Sequence, residues 1–190
     1  MQIIKTSIPG ILVFEPKVFR DTRGFFVETW NARRYRDAGI TEEFVQDNIS
    51  CSCKGTLRGL HFQHPGGQGK LAQVLAGRVF DVAVDIRVSS PSFGRWFGLE
   101  LSSERCNQIY IPPGFAHGFC VLSDTALFSY KCTAYYDPRT EGGIRWDDPE
   151  IGIEWPPDTA PILSAKDARY GPLSQIARER LPEAGRTVGQ

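Results

Sequence analysis

The stretch Val-Phe-Asp-Val-Ala-Val-Asp-Ile, residues 79–86, combines branched apolar residues with two acids. This composition is typical of a β-strand with one face in the core and the other in solvent. In both directions from this stretch the chain contains more short apolar runs, divided by turns rich in glycine and proline. The runs that we predict as strands cover residues 11–14, 24–29, 44–48, 57–64, 71–76, 79–86, 96–101, 108–111, 117–122 and 126–134.

Many short strands at this spacing predict a sandwich or a barrel. Only two helices are expected. Asn31 is a suitable N-cap for a short helix that ends at Gly39, and a second helix follows Ser174. We therefore predict an all-β jelly roll with short peripheral helices, whose central cavity is a natural site for a small molecule.

The length of 190 residues corresponds to one domain, and we expect a single domain over residues 1–190 with a polar tail at residues 181–190 that frays. Apolar residues make up 41% of the chain, which is typical of a globular protein. Lys and Arg total 22 and Asp and Glu total 22, so the formal net charge is zero. This balance argues against a protein that binds nucleic acid or a membrane surface.

Several features predict a cytoplasmic location. The chain has no run of about 18 apolar residues that could span a membrane, and residues 1–5 do not resemble the start of a signal peptide. The number of cysteines is odd and their spacing does not fit a zinc site, which favours a reduced protein over a disulfide framework. The cysteines are Cys51, Cys53, Cys106, Cys120 and Cys132.

Three histidines, His61, His64 and His117, lie in or beside predicted strands and could in principle supply a His₃ metal site. Their spacing argues against it. Residues three apart on a strand face opposite sides, so His61 and His64 should diverge. Gln63 stands two residues after His61, where jelly rolls of the metal-binding cupin type carry a second ligand. We therefore expect no metal.

Alternation along the strand that contains His61 divides its side chains between two faces. It places Arg58 and His64 on one face, with Gly59 and His61 on the other. Because Gly59 has no Cβ, we expect it to leave room for a ligand beside the imidazole of His61.

Two more residues are candidates for a site. Lys70 follows a glycine-rich turn that has no phosphate-loop pattern, so it is either a solvated lysine or a lone cation that points into a cavity. Tyr130 alternates with Phe128 and Cys132, which indicates an interior face. It is either an ordinary core residue or a buried phenol whose hydroxyl has a polar partner in a site.

Taken in order from about Ile8 to Asp167, the chain resembles the dTDP-4-dehydrorhamnose 3,5-epimerase family of deoxysugar biosynthesis. The central signature is Leu-Arg-Gly-Leu-His-Phe-Gln at residues 57–63, followed by Gln-Gly-Lys at residues 68–70. The order and spacing of the segments carry the resemblance, more than any single one. The other matching segments are residues 15–19, 21–28, 44–48, 80–87, 90–94, 111–119 and 164–167.

The resemblance implies a cupin-like double-stranded β-helix that forms a homodimer, binds a dTDP-sugar and uses neither a metal nor an organic cofactor. It implies that His61 is the general base, that Asp167 orients it, and that Tyr130 is the general acid on the opposite face of the sugar. Lys70 is then expected at the C4 ketone oxygen. The implied substrate-binding residues are Arg23, Phe26 and Glu28 from the partner subunit, together with Gln46, Asn48, Ser50, Arg58, His117, Tyr136, Glu141 and Lys166.

These residue types suit proton transfer next to a ketone. The ketone acidifies the protons on C3 and C5, and a positioned base accelerates their removal by roughly 10²–10⁴-fold. Histidine titrates near neutral pH, a carboxylate behind it fixes its tautomer, and a lysine stabilises the enolate oxygen. The implied reaction is cofactor-free epimerisation of dTDP-4-dehydro-6-deoxy-D-glucose at C3 and C5, which gives dTDP-4-dehydro-L-rhamnose.

Three departures from the family pattern border the expected sugar pocket. Ile49 stands where a histidine is frequent, the turn between His61 and Lys70 is about one residue shorter, and residues 51–53 are less polar. Alternatives therefore stay open. They are a mono-epimerase that acts only at C3 or only at C5, a ketoisomerase of related fold, a metal-dependent cupin oxygenase, and a cupin that binds a sugar or nucleotide without catalysis.

Overall fold

The computed structural model describes residues 1–156 and 160–184. Within this part of the chain almost all regular structure is β-strand. In chain order the elements are β1 (Gln2–Lys5), β2 (Leu12–Glu15), β3 (Val18–Asp21), β4 (Gly24–Val27), α1 (Ala32–Asp37), β5 (Gln46–Cys53), β6 (Leu57–Gln63), β7 (Lys70–Ala76), β8 (Arg78–Asp85), β9 (Trp96–Ser102), β10 (Gln108–Ile111), β11 (Phe115–Val121), β12 (Thr125–Cys132) and β13 (Glu141–Gly143).

Two antiparallel sheets pack face to face. One has six strands in the order β1-β2-β10-β7-β12-β5, and the other has five in the order β13-β6-β11-β8-β9. Strands β3 and β4 form a separate hairpin. The core between the sheets is made of apolar side chains from both, among them Val74, Ile109, Phe119 and Phe128. This arrangement confirms the prediction of an all-β jelly roll.

A second apolar layer covers the outer face of the five-stranded sheet. Val82 and Val84 of β8 point into this layer, where residues from the C-terminal part of the chain, including Ile151 and Leu173, pack against them. Both faces of the central strands β8 and β11 are therefore buried, and every residue of β11 is buried.

The acids of β8 are buried, and the expectation of a strand with one solvent face is wrong. Asp81 and Asp85 are both 0% exposed, because they lie on the inner face of β8, which faces the six-stranded sheet. Each acid has polar partners, as a buried carboxylate requires. Asp85 accepts hydrogen bonds from Arg87 and from the hydroxyls of Ser90 and Ser92.

The first predicted helix is confirmed and the second is wrong. Asn31 caps α1 by accepting a hydrogen bond from the N–H of Arg34, and the chain leaves the helix at Gly39 with a φ of 108°. After Ser174 there is no α-helix in the described residues. Two short 3₁₀ turns, Leu173–Gln175 and Arg178–Arg180, are separated by extended backbone. This arrangement lets Leu173 and Leu181 reach the apolar layer.

The first residues of the expected tail are packed against the rest of the chain. Leu181 is only 7% exposed and packs in the outer apolar layer, while the carbonyl of Pro182 accepts a hydrogen bond of 2.9 Å from the N–H of Val88. Residues 185–190 of this expected tail lie outside the described residues. Among the described helices none is long and apolar enough to cross a membrane.

Candidate functional site

An open cavity of about 850 Å³ lies between the two sheets, where β5, β7 and β12 of one sheet face β6 and β11 of the other. Twelve of the fifteen residues predicted from the sequence line this cavity. They are His61, Tyr130, Asp167, Lys70, Gln46, Asn48, Ser50, Arg58, His117, Tyr136, Glu141 and Lys166.

Strand β6 supplies Arg58 and His61, which both line the cavity, so the prediction that they face opposite sides is wrong. The pairing with β11 explains it. His117 pairs with His61 but Phe119 pairs with Arg58, so two residues of β6 between these pairs lie opposite a single residue of β11. This bulge restores the two side chains to the same face.

Gly59 lies inside the bulge, and its role differs from the one expected. Its φ is 133°, and a Cβ there would lie 2.5 Å from Cα of Gly118 and 2.9 Å from the carbonyl oxygen of His117. The missing side chain therefore makes room for the backbone of β11 and not for a ligand beside His61.

The structure brings His61 and Asp167 together, although 106 residues separate them. Nε2 of His61 lies 2.6 Å from Oδ1 of Asp167, which is 4% exposed and begins the 3₁₀ turn Asp167–Arg169. Burial raises the pKa of Asp167, but the hydrogen bond with His61, with smaller contributions from Ser164 and Lys166, outweighs it and holds the pKa below its usual value. Asp167 is therefore a carboxylate that orients the imidazole.

The opposite wall of the cavity carries Tyr130 on β12 and Lys70 on β7. Burial, together with nearby Cys132 and Glu141, raises the pKa of Tyr130, and Arg58 opposes this shift. The phenol is therefore protonated over the whole physiological range.

Lys70 forms no ion pair in the described part of the chain. Burial lowers the pKa of its ammonium group, whereas the acidic groups around it, Cys132, Asp81 and Glu141, raise it. An unpaired, partly desolvated ammonium on the cavity wall is suited to a developing negative charge on a ligand.

His117 lies next to His61 across the β6–β11 pair and has its own carboxylate. Its Nε2 lies 2.9 Å from Oδ2 of Asp81, and the ring stacks on Phe128 at 6.1 Å between centroids. The second oxygen of Asp81 is buried without a hydrogen-bond partner in the described residues. Sequence analysis gave Asp81 no place in the site. The sequence feature that could have indicated Asp81 as a site residue was an acid within a mostly apolar strand.

The inner face of β5 carries a chain of hydrogen bonds. The N–H of Tyr136 donates to Gln46, the amide of Gln46 donates to Asn48 at 3.1 Å, and the amide of Asn48 donates to Sγ of Cys132 at 3.5 Å. The hydroxyl oxygen of Ser50 is buried without a partner in the described residues. This wall can therefore offer polar groups in fixed orientations to a ligand rich in hydroxyls.

Glu141 ties two other predicted residues together at the mouth of the cavity. It accepts a hydrogen bond of 2.8 Å from Nζ of Lys166 and one of 3.1 Å from the hydroxyl of Tyr136. Burial raises the pKa of Glu141, but these two hydrogen bonds hold it below its usual value. The mouth thus combines an exposed aromatic ring with a cation, a pair suited to a nucleotide base and its phosphate.

Three predicted residues lie outside the cavity of this chain. Arg23 and Phe26 belong to the β3–β4 hairpin, where the Arg23 side chain is 88% exposed and pairs with Asp21, and Phe26 is 69% exposed. Glu28 follows the hairpin and pairs with Arg34 at 2.9 Å. The structure of a single chain therefore does not bring these residues to the other twelve.

Sequence analysis also missed neutral residues of the cavity. Thr56, Gln68 and Ser164 line it, and the amide of Gln68 donates to the carbonyl of Ala134 at 2.8 Å. Gln68 and Ser164 lie within segments that carry the family resemblance, which was the available signal. His64 does not line the cavity, and the described residues contain no group of three or more His, Cys, Asp or Glu side chains placed to hold a metal ion.

The arrangement can take a proton from one side of a ligand and return it from the other. An imidazole oriented by a carboxylate lies on one sheet, and a protonated phenol and an ammonium lie on the facing sheet. Fold and site together thus define a jelly-roll enzyme of the epimerase class. The chain belongs to the dTDP-4-dehydrorhamnose 3,5-epimerase family, because the family model of that description matches residues 5–175.

Individual relatives agree with the family assignment. A dTDP-4-dehydrorhamnose 3,5-epimerase of Shigella flexneri is 57% identical over 169 residues, which cover 88% of this chain and 93% of the relative. The corresponding enzyme of Salmonella typhimurium is 55% identical over 177 residues, covering 92% of this chain and 97% of the relative.

A solved structure agrees as well. The dTDP-6-deoxy-D-glucose-3,5-epimerase of Legionella pneumophila, crystallised with dTDP-4-keto-L-rhamnose, superimposes with a TM-score of 0.95 and is 53% identical. The match covers 97% of this chain and 98% of that one.

Proposed function

We propose that this protein epimerises dTDP-4-dehydro-6-deoxy-D-glucose at C3 and C5 and so forms dTDP-4-dehydro-L-rhamnose in dTDP-rhamnose biosynthesis. The names of its relatives and the ligand of the Legionella structure support this reaction. The single observation that carries it in this chain is the His61–Asp167 pair on one wall of a cavity whose other wall bears Tyr130 and Lys70.

In the first step His61 acts as the base. Because Nε2 donates to the carboxylate of Asp167, Nδ1 has the free lone pair that accepts the proton from C3 or C5. The electron pair of the C–H bond becomes the C=C bond of an enolate, and the negative charge moves to the C4 oxygen. The ammonium of Lys70 stabilises this oxygen, and Asp167 stabilises the imidazolium.

In the second step Tyr130 donates its phenolic proton to the same carbon from the opposite side. The C=C bond becomes a new C–H bond of inverted configuration and the C4 ketone reforms. The raised pKa of Tyr130 keeps the proton on the phenol until the basic enolate carbon is present. Tyr130 then regains a proton from solvent and His61 releases one, so the net reaction is an isomerisation. The second carbon follows by the same sequence.

The remaining residues bind the substrate. Arg58, His117 and Lys166 supply donors for the diphosphate and sugar, and Arg is well matched to phosphate oxygens. Tyr136, with half of its surface exposed, offers a ring face to the thymine. The other residues of this set are Gln46, Asn48, Ser50 and Glu141.

The site is completed in a homodimer, in which Arg23, Phe26 and Glu28 of one protomer reach the cavity of the other. The exposure of the hairpin supports this proposal, because Phe19, Phe25 and Phe26 are 53%, 53% and 69% exposed. Clusters of exposed aromatic residues are typical of interaction surfaces.

The cytoplasm is the compartment that we propose for this enzyme. Cys51 and Cys53 are exposed free thiols in the structure. Free exposed thiols are typical of a reducing compartment.

The reaction is tested by incubating the protein, pretreated with a chelator, with dTDP-4-dehydro-6-deoxy-D-glucose in D₂O and following C3 and C5 by NMR. We expect deuterium at both carbons and the rhamnose configuration in the product. Incorporation at C3 alone or at C5 alone would identify a mono-epimerase, and no incorporation at either carbon would refute the substrate.

The shared site is tested by mixing two inactive variants, His61→Ala and Arg23→Ala, under conditions that exchange subunits. A mixed dimer has one site with both residues intact, so activity should recover to as much as about a quarter of the wild type. If Arg23 serves the cavity of its own chain, every site stays defective and mixing restores nothing.

A further inference from the structure

The space beside His61 on the side away from His117 is filled by an aromatic ring. Gly143 of β13 pairs directly with His61 in the antiparallel register. A Cβ on Gly143 would overlap Cε2 and Cζ of Tyr170. The ring of Tyr170 therefore occupies the place that a side chain opposite His61 would otherwise take.

The two rings are in an edge-to-face arrangement. Their centroids are 5.9 Å apart and their planes meet at 68°, a geometry that is favourable for aromatic pairs. Tyr170 is also the C-cap of the 3₁₀ turn that begins with Asp167. One turn thus supplies both the carboxylate that binds Nε2 and the ring that packs against the imidazole.

This turn is held in place on both sides. The N–H of Asp167 donates to the hydroxyl of Ser164 at 3.0 Å, and the N–H of Arg145, just beyond β13, donates to the carbonyl of Gly171 at 2.9 Å. A single hydrogen bond to Asp167 fixes one atom of the imidazole but lets the ring turn about that contact. A second contact from a fixed ring limits the turning.

We propose that Tyr170 is a positioning residue for His61, and that its ring sets the direction of the imidazole nitrogen that accepts the substrate proton. This role rests on the proposed function, because it matters only if His61 is the base. The contact is made by the ring, so the hydroxyl is dispensable. Small displacements of a reacting group can cost roughly 10²-fold in rate, which makes such a contact measurable.

The test compares Tyr170→Leu, which removes the ring, with Tyr170→Phe, which keeps it. We expect Tyr170→Leu to lower kcat and the rate of deuterium uptake about tenfold or more, with KM changed less than about twofold. Tyr170→Phe should restore near wild-type kcat. Tyr135, 72% exposed and outside the cavity, provides the matched control Tyr135→Leu, which should leave kcat unchanged.

Two results would overturn the role of Tyr170: an unchanged kcat in Tyr170→Leu, or a loss carried by KM alone. Either result counts against the role of Tyr170 only if the wild-type protein is active. A wild type that fails to exchange deuterium instead refutes the proposed function.

A measurement on the wild type keeps the proposal testable if Tyr170→Leu does not fold. The chain has only three histidines, so their ring signals can be assigned by NMR with single His→Gln variants. We expect nuclear Overhauser contacts between the ring protons of His61 and Tyr170, and their absence contradicts the proposal.

Discussion

At the scale of single residues, the carboxylate behind His61 can be tested apart from the base itself. Asp167→Asn keeps the size of the side chain, but an amide cannot stabilise the imidazolium and can bind the wrong tautomer of the ring. We expect kcat to fall about 100-fold or more while dTDP still binds with nearly unchanged affinity, as measured by calorimetry. The exposed Asp124 gives the control Asp124→Asn. A variant that keeps full activity would show that His61 needs no orienting group.

Asp85 has a structural role, and its stability contribution should depend on pH. Burial raises its pKa, but hydrogen bonds from Arg87, Ser90 and Ser92 outweigh burial and lower the pKa below the ordinary value of 3.8. A lowered pKa in the folded state adds stability above the unfolded pKa, and this contribution is lost as pH falls through the folded value.

We therefore expect Asp85→Asn to lower the free energy of unfolding by about 2 kcal/mol at pH 7. The difference from the wild type should shrink as the pH is lowered from about 5 toward 3. Urea unfolding at several pH values measures both effects. A difference that grows on acidification would contradict the sign of the pKa shift.

The two acids of β8 show why some residues could not be predicted. Asp81 and Asp85 have the spacing of a solvent-facing row, and local alternation favours that interpretation. They lie instead on the inner face of β8, beside Val79 and Ala83, and the facing six-stranded sheet buries them. Local pattern contains no information about the facing sheet, so their partners appear only in the folded structure.

At the scale of elements, the bulge in β6 builds the base side of the cavity. Because two residues of β6 lie opposite one of β11, Arg58 and His61 both face the ligand, although strict alternation separates them. Gly59 permits the bulge by its positive φ and by the close approach of Gly118. The geometry of the site therefore depends on a residue that has no side chain.

This dependence predicts that Gly59→Ala is strongly destabilising, by about 3 kcal/mol or more, since it adds backbone strain and a steric clash. Gly39→Ala is the matched control. Its φ of 108° is also positive but no atom lies within 4 Å of the added Cβ, so it should cost only about 1–2 kcal/mol. Denaturant unfolding measures both. Equal losses would mean that the contact with β11 contributes nothing.

Elements with a strong local signal could be predicted from the sequence. The alternating runs correctly predicted most strands, and the Asn31 cap together with Gly39 correctly predicted α1. The short strands β1, β3 and β13 were missed because none of their sequences (QIIK, VFRD and EGG) is an alternating or mostly apolar run. The 3₁₀ turns after Pro172 pack on the outer apolar layer, and this packing determines their conformation. Local helix propensity alone predicted an α-helix there.

At the scale of the whole molecule, the candidate site depends on contacts that join distant parts of the chain. Asp167 meets His61 across 106 residues, and Tyr130 and His61 come from different sheets. Alternation and composition gave no way to pair these residues, and only the family resemblance implied that they work together. The hairpin residues Arg23 and Phe26 remain apart even in the folded chain, which is why the complete site is proposed for a dimer.

The dimer proposal predicts that activity depends on protein concentration when the hairpin is weakened. Phe25 is 53% exposed and lies opposite Arg20 in the β3–β4 register, so Phe25→Ser removes apolar surface without touching the cavity or the core. Loss of a buried phenyl ring from an interface costs roughly 2 kcal/mol. A homodimer loses two such rings, so we expect the dimer dissociation constant to rise about 1,000-fold.

On dilution, the specific activity of Phe25→Ser should therefore fall at concentrations where the wild type is still fully active, in parallel with its mass by light scattering. Phe93→Ser, which changes an exposed phenylalanine outside the hairpin, should behave like the wild type. If Phe25→Ser becomes monomeric and keeps full specific activity, the partner's hairpin is dispensable and the cavity of a single chain is the complete site.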